Sequence, residues 1–430
     1  MHAGENNERK MVLRQRWMIF SILATGYAIV YFHRVSPAVV APELVRSFHI
    51  KGTALGVLAS AYFYPYAIMQ LPSGLLSDSL GPRKTVTSFT LIAAAGAILF
   101  GISPTFSTAI LGRIMVGLGV SMLFIPTLKI LANWFEAREF AIACGILMAV
   151  GGLGWLSAAT PLALLTLWLG WRMTFFIIGL ASLSLALLTY LIVRDSPAQP
   201  EVGDISEVKG SVSSSSERQK LPLFQGMKMV LSEKKFWPLA TWFFCTGGIL
   251  FGFGGLWAGP YLMQVYAFTK AQTGNILMMI AVGMIVGSPI LSYLSEKVFR
   301  ARKPVLLISS SMLIGIWILF ILLVDTLDIS FLYVVFFLLG IFASGIVVIG
   351  FTAAKELFPT QIAGTSTGMV NLFPFVGGAL FQPLIGLILD SSGRLGNIYS
   401  SQAYRISFVG FLLAAIVAFV SVPFMRETHA

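Results

Sequence analysis

His33 and Arg34 stand side by side in "YFHRVSPAVVAPEL", residues 31–44, inside an apolar run that begins at Trp17. A helix from Arg16 to Arg46 would span roughly 45 Å, and Arg34 falls within about 5 Å of its centre. An arginine at that depth costs about 3 kcal/mol unless it faces a watery cavity or an anionic partner. All 18 carboxylates fall at predicted helix ends, in loops or in tails, so the chain offers no acid at the membrane centre. The natural counter-charge is a bound anion, and a planar guanidinium suits a bidentate carboxylate, phosphate or sulfonate. The competing use is a structural arginine bonded to backbone carbonyls.

Tyr27 and Tyr31 share a helical face with Arg34 and could add hydroxyls and aromatic surface beside it. Tyr62, Tyr66 and Gln70 form a similar stripe on the second helix. Lys129, near one end of the fourth, is a candidate second cation, while Arg113 on the same helix is expected to brace its neighbours. In the C-terminal half, Trp257, Tyr261, Asn371 and Gln382 could read a substrate's other end, although core packing and interface anchoring explain such groups equally well. His33 is a candidate proton carrier, with a neutral, backbone-bonded histidine as the alternative. No Gly-Lys dipeptide, CxxC or HExxH occurs, so no nucleotide loop, metal or cofactor is expected. "GTSTG" at Gly364–Gly368 fits a nucleophile-elbow pattern but lies near the start of an apolar helix, where close helix packing is the expected use.

These residues need a membrane scaffold. Hydrophobic residues make up 57% of the chain and charged ones 11%, which excludes a soluble globular protein. Twelve runs are long enough to cross as helices: 17–42, 53–77, 85–103, 108–134, 141–168, 173–193, 236–266, 271–294, 304–324, 329–354, 361–389 and 403–425. The polar, Ser-rich segment 194–235 divides them into an N-terminal bundle, 1–193, and a C-terminal one, 236–430. Its second half sets Phe224, Met227 and Leu231 at helical spacing beside lysines, as an interfacial helix or a solvated connector would. The net charge of +11 follows topology rather than forming a nucleic-acid patch: nineteen Lys and Arg fall on one side of the membrane and six on the other. Both termini are therefore expected in the cytoplasm. The charged start and long first run do not suit a cleaved signal peptide. Cys144 and Cys245 both fall in predicted helices and indicate no disulfide framework.

The connection "GLLSDSLGPRK", Gly74 to Lys84, has a worn copy in "SYLSEKVFRARK", Ser292 to Lys303. Asp78 matches Glu296, and each copy closes on Arg-Lys. An acid followed by clustered cations on a short loop can latch neighbouring helices in one state and release them in another. Two halves sharing a motif are a common transporter plan.

On these residues the chain resembles the major facilitator superfamily, whose loop motif G-x-L-x-D-x-x-G-x-R-(K/R) is met by Gly74, Leu76, Asp78, Gly81, Arg83 and Lys84. "RIMVGLG", containing Arg113 and Gly117, is similar to the family's R-x-x-x-G-x-G. In "SYLSEKVFRARK", Arg302 and Lys303 stand where Arg83 and Lys84 do. The fifth helix lacks the G-P pair of many exchangers. "YFHR", "GWRMTFFIIG", "VRDSP" and "ELFPTQIAGTSTGMVN" look like the organic-anion and organophosphate permeases. The resemblance implies an all-α protein of two pseudo-symmetric six-helix bundles rocking about a midplane site, with helix-one arginines binding substrate anions. It also implies departures. The helix-seven arginine of phosphate exchangers is missing, which favours carboxylates or sulfonates, and the acids of sugar-acid symporters are replaced by His33 and Val120.

The expected function is secondary transport of a small organic anion across the cytoplasmic (inner) membrane by a monomer in contact with lipid, coupled to protons or to exchange. Export of a siderophore-like or amphiphilic compound, or anion sensing without transport, are the alternatives.

Overall fold

The computed structural model describes residues 2–197, 223–345, 349–359, 362–395 and 398–428. The N-terminal bundle contains α1 (His2–Val35, continued by Pro37–Phe48), α2 (Gly52–Ser60, Phe63–Met69 and Ser73–Leu80) and α3 (Pro82–Ile102). It is completed by α4 (Phe106–Ser121 and Phe124–Trp134), α5 (Ala137–Ser157, continued by 160–169) and α6 (171–192). The C-terminal bundle contains α7 (Phe236–Val265), α8 (Lys270–Tyr293), α9 (Lys303–Leu322), α10 (Ile329–Ala343 and Phe351–Glu356), α11 (Ala363–Ser391) and α12 (Ser401–Ser421). Among the described residues nine helices are long and apolar enough to cross a membrane alone, and bent α2 makes a tenth. Two shorter apolar helices, Ile142–Ser157 and Ile329–Ala343, occupy the fifth and tenth predicted runs.

Where the helices depart from the predicted runs, prolines and glycines give the reason. Pro65 and Pro72 lack the N–H groups that would bond the carbonyls of Ala61 and Ile68, and α2 breaks near both, with a bend of 65° at the second. Pro37 likewise leaves the His33 carbonyl without its helical donor, and α1 is interrupted at Ser36 before running on to Phe48, beyond the predicted end. The glycine-rich stretch Leu250–Trp257 of α7 widens into a π-helix. Gly170 adopts φ 74°, in the left-handed region that favours glycine, and makes the turn from α5 to α6.

The bundles meet closely on one face of the molecule. There Gly56 lies against the backbone of Gln382 and Pro383, Gly259 against the carbonyl of Ala38, and Gly386 against Gly52, with no room for a Cβ at any of the three. Asp390 at the end of α11 completes this seal by capping the start of α2. Its carboxylate accepts from Gly52 N at 3.0 Å, Thr53 N at 2.8 Å and Thr53 Oγ1 at 2.6 Å. A two-residue hairpin, Arg394–Leu395 with Ile398–Tyr399, brings in the Tyr399 hydroxyl, which donates to Asp390 and accepts from Gly52 N at 2.7 Å. Lys270 at the start of α8 pairs with Glu43 on α1 at the same face.

The Ser-rich middle of the linker, 198–222, and the side chain of Phe224 lie outside the described residues. Beyond them a short helix, Leu223–Ser232, buries Val230 and rests Gly226 against Thr365 of α11. Met227 turns toward the protein, while Met229 and Leu231 are exposed.

Candidate functional site

Arg34 lies at the head of a cavity of about 510 Å³ between the bundles. The walls continue from it through Gln70, Ile125, Leu128, Thr367 and Gly368 to Lys355, toward the face carrying the Gly74–Lys84 connection. The opposite end is the sealed face just described.

Arg34 is only 4% exposed. Aromatic rings from both bundles surround its guanidinium: Tyr31 at 4.5 Å and Tyr66 at 5.0 Å from the N-terminal half, Phe375 at 4.9 Å and Phe251 at 5.3 Å from the C-terminal half. Ring faces carry negative quadrupolar charge and partly offset the lost hydration of the cation, without cancelling its charge. Among the described residues no carboxylate forms an ion pair with Arg34, and its Nε is buried without a hydrogen-bond partner. The cage holds the side chain in place and leaves a net positive charge facing the cavity.

Tyr27 stacks on Phe124 at 5.2 Å and donates its hydroxyl to the Met148 sulfur at 3.6 Å. Asn371 Nδ2 donates to Gln70 Oε1 at 2.9 Å, a bond that crosses from one bundle to the other. Lys355 supplies a second cation near the mouth.

Of the predicted contact residues, Tyr27, Tyr31, Arg34, Tyr66 and Asn371 meet in this cavity. Five others do not line it. Tyr62 is fully buried directly behind the cage, stacked on Tyr66 at 5.6 Å, and donates to Val30 O at 3.2 Å. Trp257 Nε1 donates to Gln382 O at 2.9 Å, and Gln382 Nε2 to Phe251 O at 2.9 Å, so this pair ties α7 to α11 within the C-terminal half. Tyr261 donates to Val324 O at 2.6 Å inside the C-terminal core. Lys129 bonds Asp78 at 2.6 Å and Gly74 O at 2.9 Å, which places it in the loop latch.

His33 points into the N-terminal bundle against Phe32 and Phe175, with both ring nitrogens buried and unpartnered. Its backbone carbonyl, freed by Pro37, accepts from Arg113 Nη1 at 3.0 Å, while Arg113 Nη2 reaches Ala59 O at 3.4 Å. Arg113 thus joins α1, α2 and α4 and restores a donor that proline removed. Gly117, one turn on, lets α4 touch the Tyr62 backbone.

The paired loop motifs show a common construction. Gly81, at φ 84°, turns the chain from α2 into α3, and Asp195 just beyond α6 accepts from Arg83 N at 2.7 Å, capping α3. Arg83 Nη2 bonds Tyr190 O at 2.6 Å, and Lys84 is exposed. In the C-terminal half Glu427, just beyond α12, accepts from Arg302 N at 2.8 Å and Lys303 N at 3.0 Å, capping α9 in the same way. Lys303 Nζ also donates to Pro423 O at 3.0 Å. Arg302 spans Glu296 at 2.5 Å and Glu356 at 2.9 Å. Burial opposes its charge, but the hydrogen bonds to Glu356 and Glu296 prevail and hold its pKa above the ordinary arginine value. Each loop acid therefore reaches a cation, Lys129 on α4 for Asp78 and Arg302 of the same connection for Glu296. Asp195 and Glu427 are not apparent from the loop motif alone. The signal that finds them is a second repeat, "VRDS" after α6 and "MRET" after α12.

Asp195→Ala removes the α3 cap and is expected to cost about 1 kcal/mol. Thermal unfolding should show a lower melting temperature than for Asp195→Asn, which keeps an acceptor. Equal melting of the two variants would contradict the capping role.

The family model described as Major Facilitator Superfamily matches residues 23–381 and 255–429. The chain belongs to that family. Among similar superfamily proteins, the probable sulfoacetate transporter SauU of Cupriavidus necator is 25% identical over 68% of this chain and 67% of its own length. The probable galactarate/D-glucarate transporter GudP of Bacillus subtilis is 23% identical over 94% of this chain and 91% of its own. The superfamily fold is also matched by a solved bacterial homologue of the human lysosomal transporter Spinster, in an inward-facing and unoccupied conformation. The TM-score is 0.73 at 17% identity, covering 96% of this chain and 98% of that one. The superfamily architecture makes the chain a multi-pass membrane transporter rather than an enzyme.

Proposed function

We propose that the protein carries a small organic anion, a carboxylate or sulfonate, across the cytoplasmic membrane by alternating access. The observation that carries this reading is the caged Arg34, a buried cation with no acidic partner among the described residues, at the head of a cavity closed at one end by the seal between the bundles. An anion entering that cavity meets a preorganised planar donor in a medium of low dielectric, where charge-assisted bonds are strong. Cage rings from both bundles give the ligand a means of coupling their positions. The relatives named for sulfoacetate and for galactarate/glucarate support the same substrate class. Positive charge on the motif-bearing loops supports a cytoplasmic mouth. Lys355 at that mouth would draw anions inward.

Purified protein in liposomes preloaded with an unlabelled anion from a panel of carboxylates and sulfonates, sulfoacetate and galactarate included, should accumulate the labelled compound by counterflow for at least one member of the panel, well above protein-free liposomes. Absence of flux for every carboxylate and sulfonate tried, together with stabilisation by neutral or cationic solutes alone, would overturn the proposal. Binding without flux would instead identify an anion sensor.

A further inference from the structure

Between the tyrosines beside Arg34, Tyr31 and Tyr66, and the polar groups toward the mouth, Thr367 and Lys355, the central cavity offers few groups to recognise a sugar's hydroxyls. The Gln70 and Asn371 amides are engaged with one another, and the Tyr27 hydroxyl is turned to a methionine sulfur. Much of the remaining wall is hydrocarbon or aromatic, including Phe124, Leu128, Leu250 and Phe351.

A second cavity of about 450 Å³ opens beside the first, between α5 and α8, and the two share Tyr31, Met148 and Met284. Its other walls include Gly145, Ala149, Gly152, Trp155 and Ile285. The Ser288 hydroxyl there is bonded to Met284 O. A Cβ at Gly145 would meet nothing within 4 Å. Two unbranched, polarizable methionines thus form the wall between a cationic chamber and an apolar one, and such side chains readily repack around varied shapes.

Resting on the anion reading above, we propose that the physiological substrate is an amphiphilic monoanion. Its carboxylate or sulfonate sits at Arg34, and its alkyl or aryl body passes Tyr31 and the methionine pair into the α5–α8 cleft. The charge of Arg34 selects the head, and the apolar cleft selects the body.

The test is a binding series with methane-, butane-, hexane- and octanesulfonate and galactarate. It uses wild type, Arg34→Gln and two independent cleft-filling variants, Ala149→Phe and Gly145→Leu. In wild type, affinity should rise about fourfold per methylene, the transfer free energy of one CH₂, until the cleft is full. The filling variants should bind methanesulfonate as wild type does, which also verifies their folding, and lose the rise with chain length. Arg34→Gln should weaken every sulfonate.

A flat or falling series in wild type, as expected if lipid chains occupy the cleft, overturns the tail site. So does undiminished octanesulfonate affinity in both filling variants. Arg34-dependent binding of methanesulfonate or galactarate alongside that flat series would leave the anion reading standing. No anion whose binding depends on Arg34 would end both.

Discussion

Arg34→Gln is expected to lower anion uptake by at least about 100-fold while leaving the melting temperature unchanged or raised. The first effect follows from the loss of a charge-assisted, bidentate donor pair, for which about 3 kcal/mol is a moderate figure at a buried site. The second follows from the absence of an acidic partner. Burying a lone cation costs free energy, and the four rings around the guanidinium offset only part of that cost. Arg34→Lys should recover little, because an ammonium retains the charge but neither the planar fork nor the stacking against Tyr31 and Phe375. Initial uptake rates in liposomes and thermal unfolding of the same preparations measure both effects. Near-normal uptake by Arg34→Gln, or a large loss of its stability, would reassign Arg34 to a structural role.

The second large effect is conformational. Asp390→Ala should open the sealed face. Opening breaks four bonds across the bundles, three from Gly52 and Thr53 to Asp390 and one from Gly52 N to the Tyr399 hydroxyl; the variant removes the three to Asp390, and the Tyr399–Asp390 bond lies within one half. Taking about 3 kcal/mol for the three together, below their simple sum because they share one carboxylate, the equilibrium shifts roughly 150-fold toward the open form. Asp390→Asn should act in the same direction, since an amide presents one donor edge where two carboxylate oxygens accept. A cysteine introduced at Leu55, buried in the seam, reports the change through modification by a membrane-impermeant maleimide added from the sealed face. Equal labelling of the Leu55→Cys protein with and without Asp390→Ala would show that the glycine contacts hold the seal unaided.

The helices and Arg34 were legible because each rests on a one-dimensional signal, whether an apolar run, a turn glycine or an isolated charge. The cage was not. Phe251 and Phe375 look like ordinary core residues until α7 and α11 bring them to the guanidinium. Tyr62 and Tyr66 do keep a common face, stacked at 5.6 Å, but only Tyr66 reaches the cavity wall, and Tyr62 is buried behind it. His33 and Arg34, adjacent on one helix, point about 100° apart, so only one of them faces the ligand. Lys129 was read by its depth in α4, yet its ammonium is claimed by Asp78, a partner set by how α2 packs beside α4. Lys355 carries no motif in the sequence that marks it. Its place at the cavity mouth depends on how α10 faces α4 and α11.

The unpaired charge of Arg34 has an electrical consequence. A carrier holding a monoanion crosses its cycle nearly neutral at the site, whereas an empty one reorients with an uncompensated positive charge in the membrane field. One elementary charge moved through 100 mV corresponds to about 2.3 kcal/mol. With the interior negative, that field holds the empty carrier facing inward and slows its return, while a carrier that picks up a second anion returns unhindered. On the proposed anion reading, swapping one anion for another is thus expected to be the fast mode and unaccompanied entry the slow one. An imposed potential should alter net uptake and leave exchange nearly unchanged, and equal sensitivity of the two would show that another group neutralises Arg34 during the return.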